Sequence, residues 1–326
     1  MMKKILLLAT VALLVIMPVT LFTGCTNMPA NLTQRPWGHY TEIGTYSVRL
    51  FTPGSDTPCE SLTGELTITI QPFIGEYGTH RVDLACGYTG FTHANFDIIT
   101  FDFTATDNGR TDTIFSQVVY NMTGMPIREF QRRTVGDEVT ELRAHWEGNR
   151  YHFEVRVNGE LYLADDIRFG SGMVFANMHE YIAIRSLATF SVGGALNAQY
   201  SIPVWRDGRS VDVRASTVSS MDTLIVNPTG AAEPSLLEAF RVNIDMVSTF
   251  PGRAPTRIAW FGRSDRPIYN AEGQRTGFDR TPVNNANNVI TVNGGTAQLV
   301  LLGFNEHHPR GILQFRLTEY RVQATT

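Results

Sequence analysis

Lysine is almost missing from this 326-residue chain, and its two lysines, Lys3 and Lys4, both lie at the very start. Of the 27 basic residues, 25 are therefore arginines, and these face 31 acidic groups, so the chain after Lys4 has an acidic excess of six. A negatively charged surface is repelled by phosphate backbones and by anionic lipid headgroups. The composition therefore predicts that the protein does not bind nucleic acid and does not hold to a membrane through its own charge.

Long apolar runs are also missing, with one exception near the N-terminus. Residues 5–21 are apolar apart from Thr10, Pro18 and Thr20, and they follow the two lysines. A basic start followed by an apolar run is typical of an export signal. Pro18 disfavours a stable membrane-spanning helix, because a proline inside a helix removes a hydrogen bond and clashes with the preceding turn. Residues 1–24 are therefore predicted to be a signal peptide.

The apolar run ends in Leu21-Phe22-Thr23-Gly24-Cys25. This segment resembles the lipobox of bacterial lipoproteins, with a phenylalanine where an aliphatic residue is usual. The resemblance implies cleavage before Cys25 and acyl chains on that residue, and two or more chains hold a protein stably at a membrane. Residues 25–36 are then a lipidated N-terminus and flexible stalk, since they have no hydrophobic period and are rich in turn formers. The alternative is an ordinary signal peptide with a cysteine near its cleavage site.

Cysteine is scarce as well, with three residues in the whole chain. Beside Cys25 there are Cys59 and Cys86, and in an exported protein a remaining pair is a candidate disulfide. The two cysteines lie 27 positions apart, and closing a loop of that length stabilises a fold by roughly 3–4 kcal/mol. Cys86 also ends an apolar, strand-like run, so a buried free thiol is the alternative.

The sequence is rich in apolar residues that alternate with polar ones, the pattern of strands with one buried face. Residues 46–50 and 151–157 alternate in this way. Asn158-Gly159 predicts a hairpin after the second of these runs, because a type I′ turn needs positive φ at two positions, and Asp207-Gly208 predicts another. Residues 37–323 show no change of composition typical of a linker, so we expect a single, mostly antiparallel β-domain.

Two segments break the alternating pattern and are predicted to be helical. Asn177 and Glu180 have the spacing of a capping box, and apolar residues follow at helical spacing, which predicts a main helix over residues 178–188. A proline at the start favours a second, short helix over residues 234–239. Residues 263–293 are rich in Asn, Gly and Arg with little period, and they predict a long loop.

The order of these features resembles a family of exported bacterial β-proteins of unknown function, similar in fold to the periplasmic lipoprotein carriers LolA and LolB. The resemblance covers most of residues 46–267. It implies a strongly curved antiparallel sheet, a half-barrel, with a helix that covers its concave face. Carriers of this shape hold acyl chains in the concavity.

Motifs for catalysis, cofactor binding or metal binding are missing from the sequence. Adjacent strand residues point to opposite faces, so His307 and His308 cannot readily share a metal ion. The acidic residues around Asn108-Gly109 fit a hairpin turn better than they fit the ligand spacing of a calcium loop. No second partner can be named that would complete a paired-carboxylate site with Asp165-Asp166, so this pair is interpreted as a charged strand end. We therefore expect no cofactor, no metal and no enzymatic activity.

Together these patterns predict an extracytoplasmic lipoprotein anchored to the cell membrane by lipid on Cys25. The leading hypothesis is a binding module, in which the concave face of the sheet holds an apolar ligand or a partner segment. It depends on the half-barrel resemblance and on the 19 Phe and 11 Tyr residues. The alternative is a structural or protein-interaction component of the cell envelope with no small ligand. An unrecognised enzyme ranks third, because no nucleophile, acid–base pair or metal cluster can be assembled from the spacing of the residues.

Replacement of Cys25 tests the predicted anchor. A Cys25→Ser chain cannot be acylated at that position, so it should be released in soluble form or should remain an unprocessed precursor. A Cys59→Ser chain is the matched control and should stay processed and membrane-bound. Cell fractionation with mass spectrometry of the N-terminus measures both. A processed, membrane-bound Cys25→Ser chain would show that the lipid is not the anchor.

Overall fold

The computed structural model describes most of the chain after residue 39. The described ranges are 40–74, 80–85, 91–93, 95–121, 126–147, 150–168, 181–182, 199–206, 209–226, 235–247, 257–263 and 299–324. The strands within them are β1 (Tyr40–Phe51), β2 (Pro58–Ile74), β3 (His80–Val82), β4 (Phe91–His93), β5 (Asn95–Asp107), β6 (Arg110–Asn121), β7 (Pro126–Val135), β8 (Glu138–Glu147), β9 (Arg150–Val157), β10 (Glu160–Arg168), β11 (Gln199–Arg206), β12 (Arg209–Val226), β13 (Ser235–Val247), β14 (Arg257–Arg263), β15 (Leu299–His308) and β16 (Gly311–Ala324).

Fourteen of these strands form one antiparallel sheet, in the order β10-β9-β8-β7-β6-β5-β2-β1-β16-β15-β14-β13-β12-β11. Most neighbours in the sheet are also neighbours in sequence. One exception is the β2–β5 pair, whose connection contains the small β3–β4 sheet. The other is the β1–β16 pair, which joins the first strand to the last. The prediction of a mostly antiparallel β-domain is therefore confirmed.

The sheet is curved, because distant strands in its order come into contact. β12 contacts β16 although β13, β14 and β15 lie between them. Neighbouring strands are about 4.8 Å apart, so a flat sheet would hold these two strands about 19 Å apart. Curvature encloses one face of the sheet, and that face carries most of the buried side chains.

We call this enclosed side the inner face of the sheet. It is built from alternate residues in each strand, as the period of two predicts, and the cross-strand register places them opposite one another. Buried members include Tyr46, Val48, Leu50, Leu66, Ile68, Ile70, Ile99, Phe101, Val118, Tyr120, Tyr151, Phe153, Val242, Ile244, Ala259, Phe261, Phe304, Phe315, Leu317 and Tyr320. A smaller cluster on the opposite, outer face packs around Phe96, Ile98, Val119 and Phe130 and is covered by Leu84.

Positive φ angles confirm the predicted turn at Asn158-Gly159, which have φ of 51° and 86°. Asn108-Gly109 forms the same kind of turn, with φ of 50° and 81°. Asp207-Gly208 lies outside the described residues. The strands on either side of it, β11 and β12, do pair, and the pair nearest to this connection is Arg206 with Arg209.

The prediction of two helices is wrong for this structure. Residues 235–239 of the predicted short helix belong to β13, where they pair with the end of β12. Pairing with β12 outweighs the weak local preference that the preceding proline suggested. Of the predicted main helix over 178–188, the structure describes Tyr181 and Ile182, and two residues do not define a helix.

Several predicted segments lie outside the described residues. These are the signal peptide over 1–24, the stalk over 25–36 and, beyond the last residue of β14, the loop over 263–293. They stay predictions. Within the part of the chain that the structure describes, no helix is long and apolar enough to cross a membrane.

Candidate functional site

An aromatic cluster occupies the inner face where β1, β5, β15 and β16 come together. The rings of Phe304 and Phe315 stack at 4.2 Å, and Tyr46 meets Phe304 edge-on at 6.3 Å. Phe103 adds a tilted contact with Phe315 at 5.9 Å. Ring pairs in these arrangements are favourable beyond the burial of their surface. We call the residues Tyr46, Phe103, Phe304 and Phe315 the aromatic cluster.

Tyr181 lies against this cluster although it belongs to no strand. Its ring stacks on Phe304 at 4.2 Å between centroids, and both Tyr181 and Ile182 are buried. The residue belongs to the connection between β10 and β11, the two ends of the sheet order. This connection therefore reaches the inner face and covers part of it.

Three polar side chains meet at this point. The Tyr181 hydroxyl donates a hydrogen bond to Glu306 Oε1 at 2.5 Å, and Arg257 Nη1 donates to the same oxygen at 2.8 Å. Arg257 also donates to the Tyr181 oxygen at 3.3 Å, and its guanidinium lies 5.6 Å from the centre of the tyrosine ring. Arg257 is 3% exposed. A buried cation is thus paired with a carboxylate beside an aromatic surface.

A second buried pair lies between β7 and β9. The Tyr151 hydroxyl donates to Glu129 Oε2 at 3.0 Å, and Glu129 is 2% exposed. Burial raises the pKa of the Glu129 carboxyl to about 7, although the hydrogen bond from the tyrosine opposes the change. Burial also raises the pKa of Tyr151, and the nearby carboxylate adds to that effect. The tyrosine therefore stays protonated, while Glu129 takes up and loses its proton close to neutral pH.

A third pair joins the first and last strands. The Tyr320 hydroxyl on β16 donates to Glu42 Oε2 on β1 at 2.9 Å, and both residues are buried. Each of the three pairs has the same form, a tyrosine hydroxyl bound to a carboxylate on a mostly apolar face. Chemically this gives the inner face a few fixed polar groups among aromatic and aliphatic side chains.

The predicted cysteine sites are described only in part. Cys25 and Cys86 lie outside the described residues. Cys59 on β2 is half-buried, and its sulfur lies 3.1 Å from Ser61 Oγ. Hydrogen bonds from Ser61 lower the pKa of the Cys59 thiol. Lipid attachment at Cys25 and a Cys59–Cys86 disulfide stay predictions.

The acidic turn around Asn108-Gly109 is held by an ion pair. Asp107 binds Arg310 at 2.6 Å and accepts a hydrogen bond from Ser61, and the bond to Arg310 lowers the pKa of Asp107. Nearby, the Arg310 backbone NH donates to His308 Nδ1 at 3.2 Å. His307 and His308 lie in succession at the end of β15.

The outer face carries a row of ionisable residues that sequence reasoning missed. His145 on β8 lies opposite His152 on β9, and His152 lies opposite Asp166 on β10. Partial burial, and then the charge of the nearby Arg128, lower the pKa of His145. Glu147 lies beside the two histidines, and these three residues could hold a metal ion. We call His145, Glu147, His152 and Asp166 the histidine row.

A sequence signal for the histidine row exists at the turn between β8 and β9. Glu147 and Arg150 are directly paired, so two residues connect the strands. With that connection length, residues 145 and 152 must face each other. Gly148 in the connection could have indicated the turn, as glycine did at Asn158-Gly159.

Comparison with known proteins gives little information about function. No protein-family model matches the chain, and no curated protein sequence matches it. Among solved structures, the chain is similar to a beta-barrel-like protein of the domain of unknown function DUF1849 from Brucella abortus. The TM-score is 0.47 and the sequence identity 10%, over 87% of this chain and 98% of that chain.

The raised pKa of Glu129 makes the stability of the fold depend on pH. A carboxyl whose pKa is higher in the folded state holds its proton more tightly there than in the unfolded chain. Its contribution to the free energy of unfolding is therefore fully present below about pH 4.5 and is lost as the pH rises through 7. Glu129→Gln keeps an acceptor for Tyr151 but cannot ionise. The free energy of unfolding of the variant, relative to that of wild type, should therefore rise by about 2–3 kcal/mol when the pH is raised from 5 to 8.

Urea denaturation at pH 5 and pH 8 measures this gain. The matched control is Glu138→Gln, because Glu138 begins β8 on the exposed surface and its replacement should change stability equally at both values. The prediction is contradicted if the free energy of unfolding differs between Glu129→Gln and wild type by the same amount at pH 5 as at pH 8.

Proposed function

We propose that the protein is an extracytoplasmic binding module, anchored at the cell membrane by lipid on Cys25, whose inner face holds an apolar ligand or partner segment. The observation that carries the proposal is the stacking of Tyr181 on Phe304 of the aromatic cluster, with the next residue, Ile182, also buried. This part of the inner face already accommodates a segment that is not a strand of the sheet.

The chemistry of that surface fits an apolar ligand with a polar end. Ligand sites are mostly apolar and contain a small number of placed polar groups that orient the ligand. Here the aromatic cluster supplies the apolar part, and Arg257 and Glu306 supply charged groups at one end of it. An acyl chain with a polar head, or an amphipathic segment of a partner protein, has the matching distribution.

Features of the sequence support the location and the ligand class. The export signal and the lipobox-like segment ending in Cys25 support an anchored position outside the cytoplasm. The resemblance to LolA- and LolB-like carriers supports an acyl-chain ligand, because carriers of that shape hold acyl chains in a concave face. We therefore propose binding, and not catalysis, as the function.

Removal of the Tyr181 ring tests the proposal. Tyr181→Ala uncovers Phe304, so a fluorescent long-chain fatty acid should bind the full chain at least several-fold more tightly than it binds wild type. Tyr162→Ala is the matched control, because Tyr162 is 77% exposed and its loss should not change binding of this probe. Fluorescence titration measures the affinity, and circular dichroism confirms that both variants fold.

Two results would contradict this function. One is a folded Tyr181→Ala chain that binds the probe no more tightly than wild type. The other is equal tightening in the Tyr162→Ala control, which would place the probe elsewhere on the surface. Native mass spectrometry of the purified chain gives an independent measurement, since a natural ligand should appear as an added mass.

A second candidate function is that of a protein-interaction component of the envelope. Leu161, Tyr162 and Leu163 are 57%, 77% and 44% exposed on β10, the strand at one end of the sheet order. An exposed, apolar strand at a sheet edge can pair with a strand of another protein. A photo-crosslinker at position 162 should then capture one defined envelope protein, whereas the same group at the exposed position 138 should not. Equal capture at both positions would argue against this function.

A further inference from the structure

We propose that β8, β9 and β10 build a site for one first-row transition-metal dication, such as Zn²⁺, on the outer face of the sheet. His145 and His152 are its nitrogen ligands and Glu147 is its oxygen ligand. Asp166 holds His152 in position and is not itself a ligand. The site lies on the opposite face from the proposed ligand-binding surface and does not depend on it.

The register of three strands brings these side chains together. His145 is paired with His152, and His152 is paired with Asp166. Directly opposite residues on antiparallel strands have Cβ atoms about 4.5–5.5 Å apart. Glu147 follows His145 by two residues and therefore projects from the same face. Four side chains from three adjacent strands thus point into one small region.

The distances fit a metal centre after small rotations of the side chains. The ligand atoms of His145, Glu147 and His152 all lie within 4.8 Å of one another. Around a tetrahedral zinc ion with bonds of 2.0–2.1 Å, ligand atoms are about 3.3 Å apart. The Glu147 side chain is 82% exposed and free to rotate toward the histidines, whose rings stack at 4.7 Å.

The orientation of His152 is the strongest feature of the site. Its Nδ1 lies 2.5 Å from Asp166 Oδ1, which assigns the ring proton to Nδ1 and leaves a lone pair on Nε2. Nε2 is buried, has no hydrogen-bond partner among the described residues, and lies 3.9 Å from Glu147 Oε2. A carboxylate that holds one ring nitrogen while the other binds metal is the usual second layer of a histidine site.

The charges around the site select the class of ion. Arg150 Nη1 lies 3.8 Å from Asp166 Oδ2, and Arg128 on β7 lies opposite His145 on β8 in the sheet. These two cations offset the two carboxylates, so the region has no excess of negative charge to attract Ca²⁺ or Mg²⁺. Imidazole ligands favour zinc, copper and nickel, whereas calcium and magnesium require mostly oxygen ligands.

Metal binding to the full chain tests the proposal. Equilibrium dialysis should give one Zn²⁺ per chain at the site, and bound Co²⁺ should give the visible spectrum of nitrogen and oxygen ligands. His145→Gln and His152→Gln should each weaken binding at least tenfold. Asp166→Asn should weaken it about 10- to 100-fold, as expected for a residue that positions a ligand. His307→Gln, on β15, is the matched control and should bind as wild type does.

Folding and alternative ligands are checked in the same samples. Zn²⁺ should raise the melting temperature of wild type and of the control but not of the two ligand variants, because a ligand that binds the folded state stabilises it. The proposal is overturned if the folded wild-type chain binds no Zn²⁺, or if His145→Gln and His152→Gln bind it as wild type does. A Co²⁺ spectrum with thiolate bands would overturn it as well, since it would place the ion on a cysteine.

Discussion

The pairing of β1 with β16 is the contact on which the rest of the structure depends. β1 also pairs with β2, so the strands of the first half of the chain continue from one side of β1 and those of the second half from the other. The hydrogen bond from Tyr320 to Glu42 crosses this junction over a sequence separation of 278 residues. Contacts at such separations form slowly, because a long loop must close first. The aromatic cluster has residues on both sides of this junction, so its assembly requires the same long-range closure of the chain.

Local sequence patterns predicted much of the sheet. They failed where pairing with a strand distant in the sequence determines the secondary structure. The turn at Asn158-Gly159 needs two positive φ angles, and few residue pairs supply them, so this hairpin could be predicted from two residues. Alternation likewise identified Tyr46, Val48 and Leu50 as members of a buried face. The helix predicted over residues 234–239 is wrong because residues from 235 onward pair with β12, and no local pattern in the sequence indicates that pairing.

The histidine row shows why a site can escape even a correct hairpin prediction. A regular hairpin at Asn158-Gly159 would place Asp165 opposite His152. The register shifts between Leu161 and Leu163, so Asp166 lies opposite His152 instead. A shift of one residue moves a side chain to the other face of a sheet. The carboxylate that orients His152 therefore depends on a bulge, and bulges have no dependable sequence signal.

Buried carboxylates on the inner face are difficult to explain by stability alone. Glu42 and Glu129 are buried and the Glu306 side chain is 17% exposed, and each of the three accepts a hydrogen bond from a tyrosine, while Glu306 also pairs with Arg257. Buried polar pairs are often no more stabilising than apolar residues of similar volume. Their positions are better explained by a role in binding, because a few polar groups on an apolar surface orient a ligand. The Glu129 pair also connects the two faces of the sheet. Its partner Tyr151 points inward from β9, and the next residue, His152, points outward to the proposed metal site. A displacement of β9 would therefore move the Tyr151–Glu129 pair and the proposed metal site together.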